Sequence, residues 1–384
     1  MRVPFTPLQC TELLREYPQL EIVVQTSNIR CYADDEYRAF GLKVEEKLDN
    51  CTLLIGIKEV PVDRLIPNKK YVFFSHTIKK QPHNQKLLKA VIEKKIQLID
   101  YECLTDEKHN RVIGFGRYAG IVGAYNGLLG YGKKYDLFHV KPAHKCRDRA
   151  ELETELGRIK LSNIKILITG GGRVANGVIE TVSALKIRKV TPYEFLYCSF
   201  REPVYCQLHS KDYNQQKDGS SWSMKDFYEH PGNYVSTFLP YTKVCDLLIT
   251  AHFWHPQAPK LFSKEDMKLP DFRISVIADV SCDINGSVPS TLKASSIADP
   301  FYGYNPLTEN TDIPFSKNAI TVMAVDNLPC ELPRDASEDF GKELIERVLP
   351  DLLGDDKTGM IDRASIAKEG KLTSQYQYLS DYIA

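Results

Sequence analysis

The chain has 384 residues, enough for two or three domains, and a hydrophobic content of 43% without any biased segment describes a soluble globular protein rather than a disordered one. Lysine plus arginine equals aspartate plus glutamate at 50 each, so bulk charge gives no reason to expect nucleic acid or an anionic membrane as partner. Ten cysteines spread from Cys10 to Cys330 contain no C-x-x-C pair and no Cys/His cluster at zinc spacing, so neither a disulfide framework nor a structural metal is indicated, and no residue is assigned to a metal. The opening MRVPFTPLQC lacks an apolar core of signal-peptide length, and no later run of membrane-spanning length is apolar and uncharged. The expectation is a cytoplasmic protein, with organelle import left open.

In chain order, Thr6 and Pro7 cap a helix running to about Tyr17, and Glu21–Gln25 has the composition of a strand. Residues 34–47 are charged and expected to be helical. Leu53–Ile57 and Tyr71–Phe74 are short apolar runs suited to buried strands, each followed by an ionisable residue, Lys58 and His76. A helix over Asn84–Lys94 and a strand over Ile96–Tyr101 complete a βαβ rhythm, which predicts a parallel sheet with helices on its faces. Ligands of such sheets sit beyond the carboxyl ends of the strands, so Lys58 and His76 are candidates for a base and an acid in one crevice. A solvated loop start for Lys58 and a packing histidine at His76 would produce the same local pattern. Arg111–Arg117 reads as a further strand, and Tyr118–Tyr131 as a glycine-rich helix that is either buried or domain-crossing, with a domain boundary near Gly130.

Beyond the boundary, the strand Lys165–Thr169 runs into Gly170-Gly171-Gly172-Arg173-Val174-Ala175-Asn176-Gly177 and then a helix. Strand, glycine turn and helix is the context in which backbone approaches a pyrophosphate and helix amides hold its charge. Gly170, Gly172, Arg173, Val174 and Gly177 are therefore candidate cofactor contacts, although the run departs from strict G-x-G-x-x-G. Glu194 stands where an acid would meet the ribose of NAD, while Arg188, Lys189 and Arg201 would suit a 2′-phosphate, so NAD(H) and NADP(H) both remain open. Residues 202–242 look like a strand-poor insertion. Strands resume at Val244–Thr250, Ile274–Ala278 and Ile320–Val325, and a helix is expected over Ala336–Leu349.

Taken together, IGIKEVP (55–61), FFSHTIK (73–79), LIDYE (98–102), RVIGFGRYAG (111–120), GGGRVANG (170–177), IADVSCD (277–283) and VDNLPCELPRDAS (325–337) resemble the alanine dehydrogenase and transhydrogenase-like superfamily. Within it they look most like the lysine-forming saccharopine dehydrogenases and the lysine–ketoglutarate reductase half of the bifunctional animal protein. The resemblance implies an α/β protein of two Rossmann-like domains, one spanning 1–130 and completed by 331–384, the other spanning 131–330, with a cleft between them. It implies reversible, NAD(P)-dependent condensation of L-lysine with 2-oxoglutarate to saccharopine, with Lys58 and His76 as the acid–base pair. By the same resemblance Arg2, Glu59, Lys79, Glu102 and Arg111 match substrate-binding positions, and Asp283 matches an aspartate near the nicotinamide. An alanine dehydrogenase-type enzyme and a nucleotide-binding protein without catalysis are the alternatives. Partners are expected to be these small molecules, with a homo-oligomer compatible. Members of the group usually carry a strand and a basic loop before the R-x-P-x-T-P element that here begins at Arg2, so the first domain is expected to lack its N-terminal strand or the sequence to start late.

Overall fold

The computed structural model describes residues 1–384. They divide into two compact units, one made of Met1–Phe115 with Pro333–Ala384 and the other of Gly116–Leu332.

In the first unit, α1 (Pro7–Glu16) starts as the sequence suggests, with Thr6 accepting from the Gln9 amide in a capping box and Pro7 at the first helical position. The short strand β1 (Val23–Gln25) pairs in parallel with β2 (Lys43–Glu45). The helix expected over 34–47 is only α2 (Asp34–Ala39), because Gly41 turns the chain at φ +79° and the next residues pair with β1. The main sheet contains β3 (Leu53–Lys58), β4 (Lys70–Phe74) and β5 (Gln97–Asp100), all parallel, with α3 (Gln85–Glu93) between the last two. The returning C-terminal segment adds Ser365–Lys368 antiparallel to β5 and then Lys371–Leu372, which leaves β3 on the outer edge.

Both faces of this sheet are covered, so its strands read as unbroken apolar runs. Tyr71 and Phe73 pack on one face with Leu88, Val91 and Leu98, while Val72 and Phe74 pack on the other with Ile99, Tyr101, Phe340 and Leu344. That alternation is the two-residue period of a strand. Phe340 and Leu344 come from the helix Pro333–Arg347. Arg111–Arg117, expected as a strand, makes only an isolated bridge from Arg111 to Thr105. Gly114 and Gly116 interrupt the run, and its apolar members Ile113 and Phe115 fill the core instead.

The second unit opens with α4 (Gly116–Tyr135), so the boundary expected near Gly130 falls inside this helix. Glycines 116, 120, 123, 127 and 130 recur at steps of four and three and form one helical face. A Cβ on Gly120 would lie 1.9 Å from the Val174 carbonyl oxygen, and one on Gly127 would lie 2.9 Å from the Ala278 methyl, so only glycine permits this approach. After α5 (Arg149–Leu156) come β6 (Lys165–Thr169), α6 (Arg173–Ala184), β7 (Arg188–Lys189) and α7 (Pro192–Tyr197). The supposed strand-poor insertion in fact holds β8 (Val204–Leu208), β9 (Asn214–Gln216) and β10 (Tyr234–Ser236), followed by β11 (Leu247–Thr250) and β12 (Val276–Asp279). The hairpin β13 (Phe301–Asn305) and β14 (Asn310–Asp312) precedes β15 (Ile320–Met323).

The strand order is β14-β13-β15-β12-β11-β6-β8-β7, with every pairing parallel except those that β13 makes with β14 and β15. The chain therefore winds one way from β6 to β8 and the other way from β6 to β11. In such doubly wound sheets the crevice at that switch point is where a ligand enters.

Candidate active site

In the first unit the parallel strands β3, β4 and β5 deliver polar side chains at their carboxyl ends. Lys58 ends β3 and lies opposite Phe74 in the ladder, two residues before His76. Lys58 and Glu59 are solvent-exposed. His76 occupies left-handed backbone, φ 55° and ψ 12°, which turns the chain sharply at the end of β4. Glu102 follows β5 and is the hub of the cluster. Its carboxylate meets His76 Nδ1 at 3.1 Å, Lys79 Nζ at 3.1 Å and Arg111 Nη1 at 3.9 Å. Burial disfavours the charged form of Glu102, but the hydrogen bond from His76 and the charge of Lys79 outweigh it and hold the carboxyl down to about 2.

An aromatic floor supports these groups. The Phe74 ring stacks on His76 with centroids 6.2 Å apart, and the Arg111 guanidinium lies 5.4 Å from the Phe74 centroid. Phe115 stacks on Phe340 at 4.3 Å, and the Arg2 guanidinium sits 3.9 Å from the Phe115 centroid. Thus His76, Lys79, Glu102 and Arg111 converge directly, while Arg2 joins them through the floor. His76, Lys79 and Arg111 share the carboxylate of Glu102, and cationic side chains grouped in this way suit the capture of a substrate carboxylate.

In the second unit the glycine turn joins β6 to α6, tightly packed at Gly170 and open at Gly172. Gly170 has φ +102°, and a Cβ there would lie 2.4 Å from the Ala251 carbonyl oxygen. Gly172 caps α6, and a Cβ on it would meet nothing within 4 Å, so open space lies at the helix N-terminus beside the amides of Arg173 and Val174. Gly177 does a different job from the contact expected of it. A Cβ there would lie 2.0 Å from the Arg117 carbonyl oxygen, so its bareness lets α6 seat on α4.

Glu194 is not at a strand end. Thr191 and Pro192 start the helix α7, and Glu194 closes its capping box, with the Thr191 amide hydrogen bond first among the causes that lower its pKa. The strand that pairs with β6 is β8, and its end brings Gln207 and His209 to the turn. Gln207 Nε2 donates to the Gly170 carbonyl at 3.0 Å, and a Cβ on Gly171 would lie 2.6 Å from His209 Nδ1. The sequence pattern assigns neither of these two a role, because residues 202–242 read as an insertion. The run VYCQL ahead of His209, β-branched and aromatic, was the available signal.

On the other side of β6, Thr169 Oγ1 and His252 Nδ1 share a hydrogen bond of 2.6 Å. Burial pushes the His252 imidazole down to about 4 against the opposing pull of Asp279, so it is neutral at physiological pH. Asp279, at the end of β12, accepts from the hydroxyls of Thr250, Ser281 and Thr291 at 2.6, 2.6 and 2.5 Å. Asp283 lies in the loop beyond, half-buried, its carbonyl accepting from the Gly286 amide at 2.8 Å. Ser210, Tyr213, Phe227, His252 and Trp254 line a small recess between the loops after β8 and β11.

No group of His, Cys, Asp or Glu side chains has the geometry to hold a metal ion, and no helix is long and apolar enough to cross a membrane.

Residues 1–122 match the family "Alanine dehydrogenase/PNT, N-terminal domain". The fold is that of L-alanine dehydrogenase, a solved structure to which the chain is similar with a TM-score of 0.63 and 17% identity, covering 100% of this chain and 96% of that one. Among curated relatives, the chain is 28% identical over 427 residues to alpha-aminoadipic semialdehyde synthase of Arabidopsis thaliana, covering 98% of this chain but 40% of that protein. It is 23% identical over 371 residues to saccharopine dehydrogenase [NAD(+), L-lysine-forming] of Emericella nidulans, covering 91% of this chain and 88% of that protein. The sequence resemblance to saccharopine and alanine dehydrogenases is thus matched both by relatives along the chain and by its fold.

Proposed function

We propose that the protein is a nicotinamide-dependent dehydrogenase that condenses L-lysine with 2-oxoglutarate to saccharopine and runs the reverse reaction. The observation that carries this reading is the convergence of His76, Lys79 and Arg111 on Glu102 beyond the parallel strands β4 and β5. Similarity over 91% of the chain to a lysine-forming saccharopine dehydrogenase supports it.

The reaction asks for a proton to leave the lysine ε-ammonium before the amine attacks the keto carbon. Lys58, at the end of β3, takes it as its free amine, the form favoured when bound substrates and dinucleotide shield the side chain from water. The resulting carbinolamine must lose its hydroxyl as water, and His76 donates the proton. Glu102 keeps the imidazole oriented through Nδ1, which leaves Nε2 as the atom that moves the proton. Lys79 and Arg111 bind the two carboxylates of the oxo acid, Arg2 holds a further carboxylate, and Glu59 attracts the substrate ammonium. The glycine turn at Gly170–Gly172 and the N-terminus of α6 take the pyrophosphate of the dinucleotide. A bound reduced nicotinamide, NADH or NADPH, supplies the hydride that reduces the imine carbon.

The test is spectrophotometric. NADH or NADPH should be consumed only when lysine and 2-oxoglutarate are both present, and Lys58→Met and His76→Gln should each lower kcat by about 100-fold or more while nucleotide affinity is retained. No turnover with both substrates would sink the proposal. The match of residues 1–122 to the alanine dehydrogenase family favours a second reading, reductive amination of pyruvate with ammonia. Oxidation of NADH by pyruvate and ammonium, unaffected by lysine, would favour it.

A further inference from the structure

Asp100 is fully buried at the end of β5, has no contact with solvent, and bears no role in the chemistry above. Its two oxygens serve two different loops. Oδ1 accepts the Glu102 amide at 2.7 Å, while Oδ2 accepts the Ser75 amide at 3.0 Å and also the Ser75 hydroxyl. Ser75 Oγ in turn accepts the Thr77 amide at 3.3 Å and lies 2.8 Å from Thr77 Oγ1. The backbone on each side of His76 is therefore tied to one carboxylate, directly at Ser75 and through a hydroxyl at Thr77.

His76 needs such a restraint. A non-glycine residue at φ 55° is held in sparsely populated backbone and relaxes unless its surroundings fix it. Glu102, the partner of His76 Nδ1, is fixed by the other oxygen of the same side chain. We infer that Asp100 is a positioning residue that sets His76 and Glu102 in register by bracing the β4 and β5 loops from beneath. Asparagine has the same shape but a single acceptor oxygen, so its NH₂ must face one of the two backbone amides and release one loop. Burial of an ionisable group at this place, which raises its pKa, is tolerated because these donors stabilise the charge.

This inference rests on the proposed reaction for its kinetic arm and is independent of it for its spectroscopic arm. In Asp100→Asn, kcat for lysine-dependent NAD(P)H oxidation should fall about 10- to 100-fold with smaller change in KM, since displacing a catalytic group by about 1 Å has this effect. Nucleotide affinity, a property of the second unit, should be unchanged. The His76 ring ¹⁵N resonances, assigned by their loss in His76→Gln, should move as the hydrogen bond to Glu102 changes. If kcat stays within about twofold and the ring resonances hold still, Asp100 does not position the pair. If Asp100→Asn does not fold, Ser75→Ala decides the matter, because it keeps the Ser75 amide on Asp100 and removes only the hydroxyl that bonds Asp100 and carries the link to Thr77: a several-fold loss of kcat with a moved His76 resonance supports the inference, and no change in either overturns it. Should the native chain show no turnover, the functional proposal fails, while the resonance shift alone still decides the role of Asp100.

Discussion

Replacing Glu102 by glutamine removes the one anion around which three cationic or protonatable side chains gather, and keeps its shape. The structure sets the size of the effect. The Glu102 carboxyl is held from an ordinary value of 4.5 down to about 2, a shift of about 2.5 units, and at 1.36 kcal/mol per unit the folded chain favours the carboxylate by about 3 kcal/mol. Lys79 and Arg111 are themselves half-exposed, so solvent screening reduces the cost of Glu102→Gln to roughly 1–3 kcal/mol. Because the folded pKa lies below the unfolded one, this stabilisation is complete above about pH 4.5 and drains away as the pH falls towards 2. Equilibrium urea unfolding of the first unit, followed at pH 7 and again at pH 3.5, should show a gap between native and variant that narrows by roughly 1 kcal/mol at the lower pH. A variant as stable as the native chain at pH 7, or a gap independent of pH, would refute the electrostatic account of Glu102.

Two further outcomes are expected. Gly170→Ala must place a Cβ against the Ala251 carbonyl in left-handed backbone, so it should destabilise the second unit by at least about 2 kcal/mol in calorimetry and abolish nucleotide binding; unchanged melting and affinity would show that the turn has another shape. Glu331 is buried with Asn126 at 2.8 Å, and burial raises its carboxyl to about 7, against the lowering effect of that hydrogen bond. Its folded pKa exceeds the unfolded value of 4.5, so its contribution is full below about pH 4.5 and lost as pH rises through 7. Urea midpoints of the second unit measured from pH 5 to 8.5 should decline, and Glu331→Gln should flatten the slope; identical slopes would exclude Glu331 as its source.

Where sequence expectations and structure part, the cause is always pairing or packing. The start of α1 was legible because Thr6, Pro7 and Gln9 act within one turn, and the glycine turn was legible because strand, turn and helix are contiguous. Residues 34–47 carry helical charge patterning, yet Val44 belongs to β2 because a strand at Val23–Gln25 is there to receive it. Glu194 has the right spacing for a ribose ligand but not the right strand, since only the pairing of β8 with β6 shows which strand end borders the turn. Asp100 gave no signal, for its role depends on two loops that the chain separates by about 25 residues.

By itself the sequence determined the α/β character, the apolar strands ending in Lys58 and His76, the glycine turn and the family resemblance, because each depends on residues close together or on patterns of fixed period. Only the tertiary structure decided that Glu102 is the common partner of His76, Lys79 and Arg111, that Gly177 serves helix packing, and that β8 carries His209 to the turn. Charge partners and strand neighbours are chosen by parts of the chain remote in sequence, and the free energy that selects them is the burial and pairing of the whole unit.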